Sequence, residues 1–597
     1  MKKIHIILNI CFASFFLASC ADMDVEPFTI ISEDMITTNE SGITAYLATL
    51  YNGLPIEDMY YSNSGFNAFG SVPFLFHLSG EAISLNWNYQ DANYNGTSFG
   101  AWKYTDVRNV NKFITLLRKN QDAFTKAQVD TWLGEAYMIR AYLYFGMVKR
   151  YGGVPLITEV QTYTGDNIEE LQVPRNTEKE IYDYIAGQLD SAVMYLPSSN
   201  QTGRFTKWAA YTLKSRSMLF AASIAKYGSM DNSCPYVGIP ATEAVNYYNL
   251  AKAAAKAVID DGGFGLYAAN ANKTDNYTEL FINSANNPEA IYIKEYKYPN
   301  KTHNFDVWGL PYAYRGSLGY GSNFCPTLDF VESYEMLDGT VLPLPINDAG
   351  GNPIEYADPL KIFEGRDPRL AGTVIFPNAL WRGQVVEVRK GVVENGVLYH
   401  ATRLVEDTPN GISVAGNCGF TDAAETTTTG FHLRKYLDYN RAKEDAGQSR
   451  CDQDWIDMRL AEVYLNFAEA AVETTTDIDK ALEYINFIRD RAGIALLQIN
   501  DLTINRVRNE RGIELSFESQ RFWDLKRWRV AVDMFNNRKY YALHPYYNAD
   551  NDTYYFEKQL YDPSGQSGKT FQSRFYYLQI PTDQIQTNPK LMQNPGY

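Results

Sequence analysis

The sequence predicts a mainly α-helical fold built from helix pairs, interrupted by a loop-rich insert that carries short β hairpins. Three observations predict it. Apolar residues recur near a 3.6-residue period in three separate pairs of segments. Between residues 262 and 450 that period disappears, and Gly, Pro, Asn and aromatics dominate around short apolar stretches such as "GTVIF" and "VVEVRKGVV". Hydrophobic content is 45% and charged content 21%, which is ordinary for a globular chain, and the length suffices for a large core.

The elements follow in order. Residues 1–19 read as an export signal. Lys2 and Lys3 precede an apolar run, Ile4 to Leu17. At about 14 residues it is shorter than the roughly 20 that a spanning helix needs. Leu17-Ala18-Ser19-Cys20 resembles the bacterial lipobox, in which cleavage precedes the cysteine and the thiol is acylated. The alternative is an ordinary secretory signal with an incidental cysteine. Residues 20–40 are polar and read as a lipidated tether.

The part from 41 to 261 is helical. "QVDTWLGEAYMIRAYLYFGMVKRYGGVP" places Val129, Trp132, Leu133, Ala136, Tyr137, Tyr144, Phe145 and Val148 on a helical period, ended by Gly152, Gly153 and Pro155. Thr177 opens the next helix. "KWAAYTLKSRSMLFAASIAKYG" and "AVNYYNLAKAAAKAVIDDGG" form a second pair. "DMRLAEVYLNFAEAAVE" and "DIDKALEYINFIRDRAG" form a third, with Asp477 expected at an N-cap and Gly493 past the end. Pairs of this length suggest tetratricopeptide-like stacking, although only Gly134 and Tyr137 match a fragment of that repeat's signature. The remainder, 262–597, divides into the loop-rich 262–450, a helical 451–535 and an irregular 536–597.

Composition excludes some functions. The net charge of −16 would repel a phosphate backbone, so nucleic acid is not a partner. Cys234, Cys325, Cys418 and Cys451 are far apart and form no CxxC pair, so buried free thiols are expected. The chain holds 45 Tyr, 31 Phe and 9 Trp, an excess that suits a packed core and also a sugar-stacking surface.

Motifs that imitate catalysis lack their context. "GTSFG" at 96–100 fits a nucleophile elbow in spelling, but polar "NYQDANYN" precedes it where a buried strand is required. "SGKT" at 567–570 has Pro563 where a phosphate loop needs its first glycine. The six histidines form no zinc pattern, and no cofactor is implied. Asp550 and Asp552 read as a solvated turn and not a calcium loop. Glu514, Glu518 and Arg521 in "NERGIELSFESQRFWDLKRWR" lie on one helical side and suggest local ion pairs bracing a packed helix pair.

Taken together, the chain resembles the SusD/RagB-like outer-membrane lipoproteins of Bacteroidetes. The resemblance rests on Cys20, "RAYLYFGMVKRYGGVPLITE", "PTLDFVESYEMLDGT", "GRDPRL", "MRLAEVYLNFAEA", "INFIRDRAG", "ERGIELSFESQRFWDLKRW" and "IPTDQIQTNPKLMQNPGY". It implies a single large body of tetratricopeptide-like helix pairs and a non-catalytic protein, lipid-anchored at the cell surface. There it would bind a nutrient, usually a glycan and in some members a peptide, and pass it to a TonB-dependent, SusC-like transporter. Asp22, Asp24 and Glu26 lie where related lipoproteins carry a surface-display signal. By region, the resemblance implies two ligand-binding segments. Trp87, Asn88 and Tyr89 stand in the first, and Trp308, Tyr312, Tyr314, Arg315 and Tyr320 in the second. A surface glycoside hydrolase is the alternative of a different class.

Overall fold

The computed structural model describes residues 37–62, 74–83, 96–231, 233–315, 320–421, 426–536, 538–561 and 571–597. The export segment, Cys20, the start of the tether, Trp87, Asn88, Tyr89 and "SGKT" lie outside the described residues.

The helices that form the body are α1 (Glu40–Asn52), α2 (Tyr104–Lys119), α3 (Lys126–Tyr151), α4 (Glu178–Tyr195), α5 (Lys207–Tyr227) and α6 (Ala244–Asp261). Late in the chain α7 (Leu460–Thr474) and α8 (Ile478–Ala492) join them. Each packs against the next from α2 to α8, so α7 docks on α6 across some two hundred intervening residues. The expected three pairs therefore form one continuous row. Local chemistry sets the starts. Thr125 and Thr177 each accept the N–H three residues on, and Gln128 and Glu180 reach back to the cap N–H.

Helix α3 is buried almost all round from Val129 to Val148, so its polar residues must be paired inside. Glu135 takes Arg204, Arg140 takes Gln188 and Asn111, and Arg150 takes Glu57. Gly152 ends the helix at φ +72, a conformation L side chains avoid. At Gly153 the reason for glycine is space: a Cβ would lie 1.9 Å from the Asn176 carbonyl oxygen. Gly153→Ala should therefore destabilise the chain by about 1–3 kcal/mol. Gly187→Ala, where nothing lies within 4 Å inside α4, should stabilise it by about 0.5–1 kcal/mol. Urea midpoints check both, and equal midpoints for the two variants would contradict the packing argument.

Three expectations are corrected. Residues 536–597 are not irregular. Strands Tyr540–Asn548 and Thr553–Tyr561 pair antiparallel over nine residues each. With Gly391–Glu394 and Val397–His400 they make a four-stranded sheet in which Tyr546–Asn548 runs parallel to Gly391–Val393. Pro545 sits just beyond that parallel ladder, where its missing N–H costs no pairing with Gly391–Val393. Asp550 lies in the hairpin turn, and its carboxylate accepts the N–H groups of Asn395 and Gly396 at 2.6 and 2.7 Å.

Second, Asp477 stands at the N-cap of α8 without capping it; its carboxylate pairs with Lys252 at 2.5 Å. Gly493 does end the helix, at φ +78.

Third, Glu514 and Glu518 do not pair locally with Arg521, although Arg511 does brace the helix pair through Asp524 at 2.7 Å. Helix α9 (Ile504–Glu514) and helix α10 (Arg521–Arg527) flank a turn. Glu514 accepts from Arg459 at 2.6 Å, from Arg369 at 2.9 Å and from Arg491. Glu518 takes Arg459 and Lys435, each at 2.7 Å. Burial explains the difference: these carboxylates are enclosed, and only segments folded onto them can supply cations. Glu289, Asp367, Glu510 and Arg489 extend the network. It bolts the loop-rich insert to the helical row. Cys234, Cys325, Cys418 and Cys451 are buried free thiols.

Candidate functional site

The second sequence-predicted segment folds as a short helix, Phe305–Gly309, a 3-10 turn, Tyr312–Tyr314, and a return at 320–324. The Ser322 N–H donates to the Leu310 carbonyl and the Asn323 N–H to that of Trp308, each at 2.9 Å, which closes the loop. Residues 316–319 are outside the described residues.

Closure brings two of the predicted aromatics together. Tyr320 is 44% exposed and lies 4.8 Å, centroid to centroid, from the buried indole of Trp308. The Trp308 Nε1–H has no hydrogen-bond partner among the described residues. Arg315 sits 3.8 Å above the Tyr312 ring, and both are half-buried. Tyr320, Tyr312 and Arg315 thus offer aromatic and cationic faces to solvent, with Trp308 beneath Tyr320.

Tyr314 differs from the other four. It is 5% exposed, its ring lies 4.9 Å from that of Trp381, and its hydroxyl is within 3.2 Å of the carbonyl oxygens of Trp381 and Gln384. The protein itself takes up the face that a ligand would need, so Tyr314 supports the surface.

Sequence reasoning missed the floor of the site. Strands Leu380–Trp381 and Gln384–Val385 are joined by Arg382 at φ +48 and Gly383 at φ +76, a two-residue turn with both central residues left-handed. That turn places the Arg382 guanidinium 4.5 Å from the Trp381 ring and donates its Nη2–H to the Asp438 carbonyl at 2.7 Å. The Nε and Nη1 of Arg382 and the Nε1 of Trp381 are buried donors without a hydrogen-bond partner among the described residues. Asp306 lies in the same electrostatic cluster, 3.8 Å from Arg441, and burial pushes its carboxyl up to about 6. Buried donors that the protein leaves unpaired are costly, and such groups gather where a ligand or water completes them. The available signal was "LWRGQ", a Trp-Arg pair at a Gly turn.

Elsewhere, residues 96–99 form a turn and the next helix begins only at Tyr104, so Ser98 is not at a turn that opens a helix. Among the described residues no group of three or more His, Cys, Asp or Glu could hold a metal ion, and no helix is long and apolar enough to cross a membrane.

Comparison with known proteins adds the family context. The SusD family model matches residues 269–597, and a second model, described as starch-binding associating with outer membrane, matches 29–219. A SusD-like protein of Bacteroides ovatus is 21% identical over 555 residues, covering 89% of this chain and 85% of its own. The crystal structure of a SusD-like protein from Bacteroides fragilis superposes with a TM-score of 0.69 at 25% identity, covering 95% of this chain and 99% of that one. A SusD-like carbohydrate binding protein of the same species gives 0.67 at 21% identity, covering 93% and 100%.

Proposed function

Because the chain belongs to the SusD family, we propose that it binds a glycan at the cell surface and delivers it to a TonB-dependent, SusC-like outer-membrane transporter. The observation that carries the binding half is the exposed Tyr320 ring backed by Trp308, beside the Tyr312–Arg315 pair. A flat aromatic face covers the apolar face of a sugar ring. Arg315 would fix the pattern of hydroxyls. Trp87, Asn88 and Tyr89 are proposed to complete the surface. A matched family model described as starch-binding and a structural relative described as carbohydrate binding support a glycan over a peptide.

Isothermal titration against a panel of neutral polysaccharides and a panel of oligopeptides tests this reading. Binding to at least one glycan and to no peptide is expected. Peptide binding without glycan binding would replace it with the oligopeptide reading.

Lipid anchoring at Cys20 is part of the same proposal. It holds the binding surface beside its transporter and raises their effective concentration. Cys20→Ala should move the protein from the membrane fraction to the soluble fraction while leaving the glycan Kd unchanged. Fractionation and titration of the two proteins check this, and a variant that stays in the membrane would contradict it.

A further inference from the structure

A cavity of about 520 Å³ lies where the C-terminal end of α5, the segment after α10 and the C-terminal tail meet. Its volume is in the range of small-molecule sites. Tyr227, Asp231, Arg529, Arg574, Tyr576 and Tyr577 line it.

Arg529 is the central group. Its guanidinium carbon lies 4.7 Å from the Tyr576 ring centroid and 4.9 Å from that of Tyr577, and Nη2–H donates to the Tyr577 hydroxyl at 2.5 Å. Tyr577 in turn donates to Glu178 at 2.7 Å. Glu178 is thus the nearest carboxylate shown to be linked to Arg529, one hydroxyl removed and enclosed. Among the described residues no carboxylate forms an ion pair with Arg529 or with Arg574. The buried arginines Arg369, Arg459 and Arg527 are saturated by carboxylates, whereas Arg140 and Arg175 take neutral amide and carbonyl partners. Arg574 donates one N–H to the Gly596 carbonyl at 3.0 Å and is otherwise turned to solvent, 5.4 Å from the Tyr597 ring. Asp231 lines the same cavity, but its Oδ1 accepts from both the N–H and the hydroxyl of Ser233.

Two backbone features border this arrangement. Arg529 adopts φ +58, the left-handed region that favours glycine, so the chain keeps an arginine where the backbone would accept a smaller residue more readily. At Gly228 a Cβ would meet the Ile224 carbonyl oxygen at 2.4 Å, and it would stand in ordinary contact with Arg529 Nε, 3.5 Å away.

We propose that this cavity is a separate binding site for a pyranose carrying an oxyanion, either the carboxylate of a uronic acid or a sulfate ester. Two arginine forks from different segments supply the geometry such a group requires. The tyrosine rings supply faces for the sugar. The choice of a sugar among oxyanion-bearing ligands rests on the glycan reading above; the anion preference does not.

Titration at low salt with three probes tests it: a galacturonic acid trimer, the same trimer methyl-esterified, and a sulfated disaccharide. We expect the acid or the sulfate to bind, the ester to fail, and binding to weaken with added salt. Arg574→Gln and Arg529→Gln should each weaken it about tenfold. Tyr320→Ala should leave it unchanged. Binding of the carboxylate probe alone, or of the sulfate probe alone, names the source of the oxyanion. Arg574 is exposed, so its variant keeps the test open if Arg529→Gln fails to fold. Equal binding of acid and ester, no binding of any anionic probe, or acidic binding lost in Tyr320→Ala and retained in Arg574→Gln would each overturn the proposal. A neutral glycan that still bound at the Tyr320 face would show that the first reading survives that failure.

Discussion

Glu514→Gln should destabilise the chain by about 3–5 kcal/mol. The substitution keeps shape and most hydrogen-bonding capacity but removes one charge from an enclosed cluster. Arg459, Arg369 and Arg491 converge on that carboxylate, and their remaining partners, Glu289, Glu510, Asp367 and Glu518, do not replace it. Removing one member of a buried ionic set leaves uncompensated charge, which costs far more than the set contributes against an apolar replacement. Glu364→Gln is the control. Its pair with Lys361 is exposed, and the change should stay within about 0.5 kcal/mol. Denaturant midpoints of the two variants check the contrast, and similar midpoints would contradict it.

The same network gives the stability a direction with pH. Burial alone would push the carboxyl of Glu514 up, but Arg491, Arg459 and Arg369 outweigh it and hold it well below the usual range. Glu518 and Asp524 are also buried and also held low, by Arg459 and Lys435 and by Arg511 and Arg527. A carboxylate with a depressed native pKa contributes stability that is fully present above its unfolded value, about 4.3 for Glu and 3.9 for Asp. That contribution is lost as pH falls toward the native value. Stability should therefore fall steeply below about pH 4, and Glu514→Gln should flatten that limb.

Tyr320→Ala should weaken glycan binding at least tenfold, and Trp308→Ala by about 2 kcal/mol, roughly thirtyfold. Their burial separates the two. Tyr320 is 44% exposed, so its loss should leave the unfolding midpoint near that of the native chain. Trp308 is 7% exposed and packs in the core, so its loss should lower both affinity and stability. Tyr314→Phe removes only the hydroxyl that meets the Trp381 and Gln384 carbonyls, and its effect on binding should be small. Titration beside thermal unfolding tells a ligand contact from a support.

What the sequence made legible was local. Helix α3 with its Gly152 stop, and the Thr177 start of α4, follow from period and capping, because those signals act within a few residues. Family membership was legible because several short motifs occur in order along the chain. The hairpin Tyr540–Tyr561 was missed because 536–597 read as irregular, and its sheet is completed by strands some hundred and fifty residues earlier in the chain. The partners of Glu514 were illegible for a different reason. They come from residues 369, 459 and 491, and only tertiary folding decides which cation enters an enclosed space. The candidate site divides the same way. Trp308, Tyr312, Arg315 and Tyr320 sit close in sequence and were legible as a segment. Trp381 and Arg382 acquire meaning only when the Arg382–Gly383 turn sets Trp381 against Tyr314.

The central claim is that the Tyr320 face is where a glycan rests. A crystal structure of the protein with a glycan that binds in titration tests it most directly. The account predicts a sugar ring stacked on Tyr320, with its hydroxyls within hydrogen-bond distance of Arg315. A bound glycan elsewhere on the molecule, with the Tyr320 face bare, would contradict it.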